Sequence, residues 1–123
     1  MPSLSRWKVY VLTDAAACFG LPAATVSALR AVLERHSRVS RGGIYGSRAK
    51  GTWRKGSDID VVLFGEALTQ EDLARIDNEI DALNLPYQVD LSLYASIEST
   101  ALRAHIAHAG RLLYGRGLDR APG

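Results

Sequence analysis

The sequence has almost no cysteine and no long apolar run. Cys18 is the only cysteine among 123 residues, so no disulfide can close within the chain and no multi-cysteine metal cluster can be built. This suits a reducing compartment, and a cytoplasmic location is expected. No apolar stretch is long enough to span a bilayer. Arg6 and Lys8 precede Val9-Tyr10-Val11-Leu12, but Asp14 soon interrupts, which fits a signal peptide poorly. Two phosphate-binding motifs are also missing. Gly46 and Gly51 open like a P-loop, yet Thr52-Trp53 stands where Lys-Ser or Lys-Thr is required, and no G-x-G-x-x-G occurs. Acids are absent between Arg35 and Lys55, where seven basic residues lie, and from Asp58 to Glu98 ten acids face Arg75 alone. A net charge of +2 does not by itself argue for nucleic acid. The segregation fits two solvated surfaces, or a site where basic groups hold phosphates beside carboxylates that hold metal.

What is present is enough for one domain with a real core: 47% of residues are hydrophobic and 23% charged. Residues 21–115 are expected to form it, with 1–20 an extension of uncertain form (Val9–Leu12 an edge strand or part of a loose piece) and 116–123 a flexible tail. Pro22 and the spacing of Val26, Leu29 and Leu33 predict a helix over 22–36. Residues 40–45 read as a short strand despite Gly42-Gly43. Asp58 to Phe64 reads as a second strand with a buried Val61–Phe64 run. Thr69 and Asp72 form a capping-box-like start to a helix carrying Leu73, Ile76, Ile80 and Leu83, which Leu85-Pro86 should end. Residues 88–94 alternate as a half-buried strand, with Val89, Leu91 and Leu93 on one face and Gln88, Asp90 and Ser92 on the other. A last helix over 97–109 turns Leu102 and Ile106 inward, Gly110 caps it, and residues 111–114 add a strand. The expected class is α+β, sandwich-like: a small mixed sheet packed by helices.

The chemistry centres on residues 46–60. Gly46-Ser47 follows a strand directly, and ten residues later Asp58-Ile59-Asp60 opens the next. Alternate residues of a strand share a face, so Asp58 and Asp60 stand together while Ile59 turns away. Two carboxylates so close repel unless positive charge lies between them. Hard oxygen donors favour Mg²⁺ or Mn²⁺ over zinc. Asp90 is on the polar face of another strand. If the two strands are neighbours, three carboxylates converge, enough to bind two metal ions about 3.5–4 Å apart and clamp an in-line phosphoryl displacement. Otherwise the three are solvated acids at strand ends. Gly46 lets backbone approach a ligand. A helical turn after it would aim free N–H groups and the Ser47 hydroxyl at a phosphate, and Arg48, Lys50 and Lys55 add positive charge nearby.

Gly-Ser, ten residues, then Asp-x-Asp resembles the signature of the polymerase beta-type nucleotidyltransferase superfamily. The longer segments Tyr45-Gly-Ser-Arg-Ala-Lys-Gly, Gly56-Ser-Asp-Ile-Asp-Val and Pro86-Tyr-Gln-Val-Asp-Leu-Ser-Leu are similar to the bacterial minimal nucleotidyltransferases, and the likeness covers residues 21–115. It implies that Gly46 and Ser47 hold a triphosphate; Arg48 and Lys50 are expected beside it from their charge. Asp58 and Asp60 would bind two Mg²⁺ or Mn²⁺ ions, while Asp90 completes the catalytic one and helps activate the acceptor hydroxyl. It further implies an AMP donor such as ATP and a separately encoded all-helical partner, either a substrate-binding protein or a HEPN toxin. In the toxin case the chain would be an antitoxin that adds AMP to its partner. The reading from a different class is a non-catalytic nucleotide-binding subunit that neutralises the partner by contact. Three further side chains have competing readings. His105 and His108 fit surface or partner-facing residues better than a shared metal. Trp53 could stack on a base or pack over the loop. Tyr114 is expected to pack on the body.

Overall fold

A computed structural model describes residues 19–52, 54 and 56–116. The expectations for Val9–Leu12, Trp53, Lys55 and residues 117–123 of the tail fall outside those residues. The first long helix, α1, runs Ala23–Glu34 from an N-cap at Pro22 and buries Val26, Leu29, Val32 and Leu33, as the helical spacing of its apolar residues requires. Strand β1 is Arg41–Tyr45, the short helix α2 is Ser47–Lys50, and strand β2 is Ile59–Phe64. Helix α3, Gln70–Asp81, crosses over to strand β3, Val89–Leu93. A 3₁₀ turn at Tyr94–Ser96 leads to helix α4, Thr100–Ala109, and strand β4, Arg111–Gly115.

The four strands make one mixed sheet in the order β3-β2-β1-β4. β1 is antiparallel to both β2 and β4, while β2 and β3 are parallel. Parallel neighbours need a crossover, and α3 supplies it. One sheet face carries the larger core, in which Ile44, Ile59, Val61, Leu63 and Val89 meet α1 and α3. The other carries Tyr45, Val62, Phe64 and Leu112 against Ile106 of α4. The paired glycines of β1 have a packing reason at Gly42, where a Cβ would come within 2.9 Å of Leu33 Cδ1 on α1. Tyr114 is 3% exposed, so it does pack on the body. Phe19 is fully buried in the larger core, so the packed body already includes the last residues of the segment read as an extension.

Two helix ends differ from expectation. α3 is capped at Ala82, not at Leu85-Pro86, because Asn84 takes a positive φ of 53° and turns the chain out of the helix. α4 starts at Thr100, not Ile97, because the Ser99 hydroxyl accepts the Leu102 N–H at 3.1 Å and fixes the first turn. Gly110 caps α4 with an extended φ of −61°, so the left-handed freedom of glycine is not used there. The charge segregation is also partly resolved by folding. Arg35 and His36 pair with Glu79 at 3.0 and 2.8 Å, and Arg38 with Asp72 at 3.2 Å, so part of the basic run is engaged with α3 and not with a ligand.

Candidate active site

β1 runs straight into Gly46, whose φ of 74° and ψ of −153° are open in practice only to glycine. The position is closed to larger residues for a second reason: a Cβ on Gly46 would collide with the Asp60 carboxylate. The chain then tightens into α2, with the Lys50 N–H bonded to the Gly46 carbonyl at 3.1 Å, and leaves through Gly51. The Ser47 hydroxyl bonds to no other described residue. Glycine thus brings bare backbone up to a carboxylate on the neighbouring strand.

Strand pairing sets the rest. Tyr45 is the register partner of Asp60 across β1–β2, and Asp60 is the register partner of Asp90 across β2–β3. Partners in register share a face, so both carboxylates lie on the α4 side of the sheet with Tyr45, Val62 and Ser92. Ile59 is fully buried on the opposite face. Asp58 is exposed just before β2, and its charge reaches Asp60. Burial, then the like charges of Asp90 and Asp58, push the Asp60 carboxyl above its ordinary range, with His105 pulling the other way. None of the three carboxylates forms an ion pair among the described residues. As the side chains stand, no three His, Cys, Asp or Glu residues among those described form a metal-binding group. The donor chemistry nevertheless suits a hard divalent cation: all the candidates are carboxylate oxygens, and Asp60 carries a charge that its neighbours make costly until a cation offsets it.

The basic residues divide. Lys50 is exposed at the end of α2, free to reach an anion. Arg48, expected beside the triphosphate, is instead 1% exposed, and this corrects its assignment. Its Nε and Nη2 donate to the Ser57 carbonyl at 3.2 and 2.9 Å, and its Nη1 donates to those of Phe19 and Gly20 at 2.9 and 3.3 Å. The guanidinium also lies 5.0 Å from the centre of the Tyr87 ring. Its planar fork ties the motif turn to the loop before Asp58, which holds the site together without facing it. Sequence reasoning read His105 as a surface or partner-facing residue and missed its place at Gly46. Its Nε2 accepts the Gly46 N–H at 3.2 Å, and its ring stands edge-on to Tyr45 with centroids 6.2 Å apart. Helical spacing marked His105 as neighbour to buried Ile106, but nothing in the pattern pointed it at Gly46.

The family model described as Polymerase beta, Nucleotidyltransferase matches residues 27–118. No curated protein matches the sequence significantly. Among solved structures, one described as a toxin-antitoxin with AMP-PNP is 23% identical with a TM-score of 0.61, covering 77% of each chain. A toxin-antitoxin MntA-HepT structure is 19% identical with a TM-score of 0.58, covering 80% of this chain and 78% of that one. A tri-AMPylated HEPN toxin in complex with an MNT antitoxin, from Shewanella oneidensis, is 20% identical with a TM-score of 0.57, covering 79% and 75%. At these identities the likeness to solved structures is one of fold.

Proposed function

Because this chain belongs to the polymerase beta nucleotidyltransferase family, we propose that it transfers AMP from ATP to an acceptor hydroxyl on a helical HEPN-type partner, as the antitoxin of the pair. The carrying observation is the pairing in register of Asp60 with Asp90, beside a Gly46 that only glycine can occupy. The partner reading draws support from the solved structures of like fold, which are described as MntA-HepT and as a HEPN toxin with an MNT antitoxin.

In this reading the Gly46 backbone, the Ser47 hydroxyl and the Lys50 ammonium orient the triphosphate. Asp58, Asp60 and Asp90 would hold Mg²⁺ or Mn²⁺, which when bound neutralises charge on the phosphates and lowers the pKa of the acceptor hydroxyl. Asp90, the register partner of Asp60 on the neighbouring strand, would take that proton. The acceptor oxygen bonds to the α-phosphorus, the bond from that phosphorus to the bridging oxygen breaks, and diphosphate leaves with the electron pair. The Arg48 guanidinium acts through the backbone and keeps the loop before Asp58 in place.

The test is label incorporation from α-³²P-ATP with Mg²⁺ and the helical partner. Transfer to the partner that is lost in Asp58→Ala and Asp60→Ala, with complex formation retained, supports the proposal. A tight complex that never takes label would favour neutralisation by contact and overturn it.

A further inference from the structure

The Gly46 N–H is already engaged. It donates to His105 Nε2 at 3.2 Å, so the ring presents a lone pair, not a proton, to the backbone that the proposed function assigns to phosphate. A helix fixes where that ring sits. Ile106, the next residue, is fully buried against Tyr45, Val62, Phe64 and Leu112, and α4 is held at its start by Ser99. The Tyr45 ring backs the imidazole from the side. Burial, and then the positive charge of Lys50, favour the neutral imidazole, with Asp60 opposing. A neutral ring with Nε2 as acceptor carries its proton on Nδ1. It cannot donate to a phosphate oxygen from the nitrogen that faces Gly46, and its lone pair would repel one. The ring and an anion therefore compete for the same N–H.

We infer that His105 is a displaceable latch on the Gly46 amide, which a nucleotide must release before its phosphates can use that amide. The inference rests on the proposed nucleotide site. It adds a residue from α4 that sets nucleotide affinity by competition, not by contact with the phosphates. Occupying the site then moves the His105 side chain on α4, and α4 senses the bound state.

The experiment is calorimetric titration of the full chain with AMP-PNP and Mg²⁺. Removing an acceptor that competes for one hydrogen bond should let His105→Ala bind about three- to tenfold more tightly than wild type. His105→Gln keeps an acceptor on a side chain of similar reach and should stay close to wild type. Equal or weaker binding by His105→Ala, with wild type binding, overturns the latch and leaves the nucleotide site standing. No binding by wild type overturns the proposed function, and the latch falls with it. Should His105→Ala melt too low to assay, ¹⁵N spectra of the wild-type chain decide. The Gly46 amide and the His105 ring nitrogens should both shift on saturation with AMP-PNP, and a ring that keeps its Nε2 signal unchanged overturns the latch.

Discussion

At the scale of single residues, Asp60 and Arg48 sit a short way apart in sequence and carry opposite stability signatures. Asp60 has its carboxyl held above the ordinary range by burial and by Asp90 and Asp58. A group whose folded pKa is raised lowers stability whenever it is charged, fully so above the folded value, and stability returns as pH falls through that value. Asp60→Asn should therefore raise the melting temperature at neutral pH without metal, while abolishing AMP transfer; a scanning melt and the label assay on one preparation check both. Site residues often oppose stability in this way. Arg48 is the reverse case. Arg48→Ala removes the hydrogen bonds that its guanidinium donates to the Ser57 and Phe19 carbonyls. Losing buried, charge-assisted hydrogen bonds of this kind costs about 1–3 kcal/mol, so urea unfolding should show a loss of that order.

Among the elements, α3 has the most complete start. The Thr69 hydroxyl accepts the Asp72 N–H at 3.1 Å, and the Asp72 carboxylate accepts the Thr69 N–H at 3.0 Å. Thr69→Ala should cost about 1 kcal/mol, read as a shift in urea midpoint with unchanged slope. The same box gives a pH dependence. The Thr69 N–H first, then the Arg38 side chain against some opposing desolvation, holds the Asp72 carboxyl below its ordinary value. A depressed carboxyl contributes stability that is whole above the unfolded pKa, roughly 3.9, and is lost as pH falls through the folded one. Asp72→Asn should therefore flatten the acid limb of the stability curve, visible in melts at stepped pH. This box was legible in the sequence because capping is local: the partners are three residues apart. The start of α4 was harder to read, since Ser99 caps it after a 3₁₀ turn that the apolar spacing hides.

For the whole molecule, the consequential fact is that two strands joined by a helix lie side by side. Asp60 and Asp90 are thirty residues apart in sequence and partners in register. If their carboxylates bind a cation together, Mg²⁺ or Mn²⁺ should raise the melting temperature of the wild-type chain by mass action. A chelator should reverse the rise, and Asp60→Asn should be blind to it. A wild-type melt that divalent ions leave unchanged would count against the metal assignment.

The sequence by itself determined what depends on neighbours along the chain. That includes the amphipathic helices, the buried run of β2, the alternation of β3, the cap of α3, and a glycine-serine turn followed at fixed distance by two carboxylates. These follow from side-chain period and backbone freedom, which act over a few residues. Only the tertiary structure decided which direction long side chains take and which strands meet. Arg48 looked like a phosphate ligand beside Ser47, but the fold spends its donors on backbone carbonyls. His105 looked like a surface residue, but packing of Ile106 under α4 swings it onto the Gly46 amide. The basic run at 35–38 looked free until α3 brought Glu79 and Asp72 to it. A flexible or helical side chain goes where distant groups leave unmet hydrogen bonds or charge, and spacing along the chain carries no record of those groups.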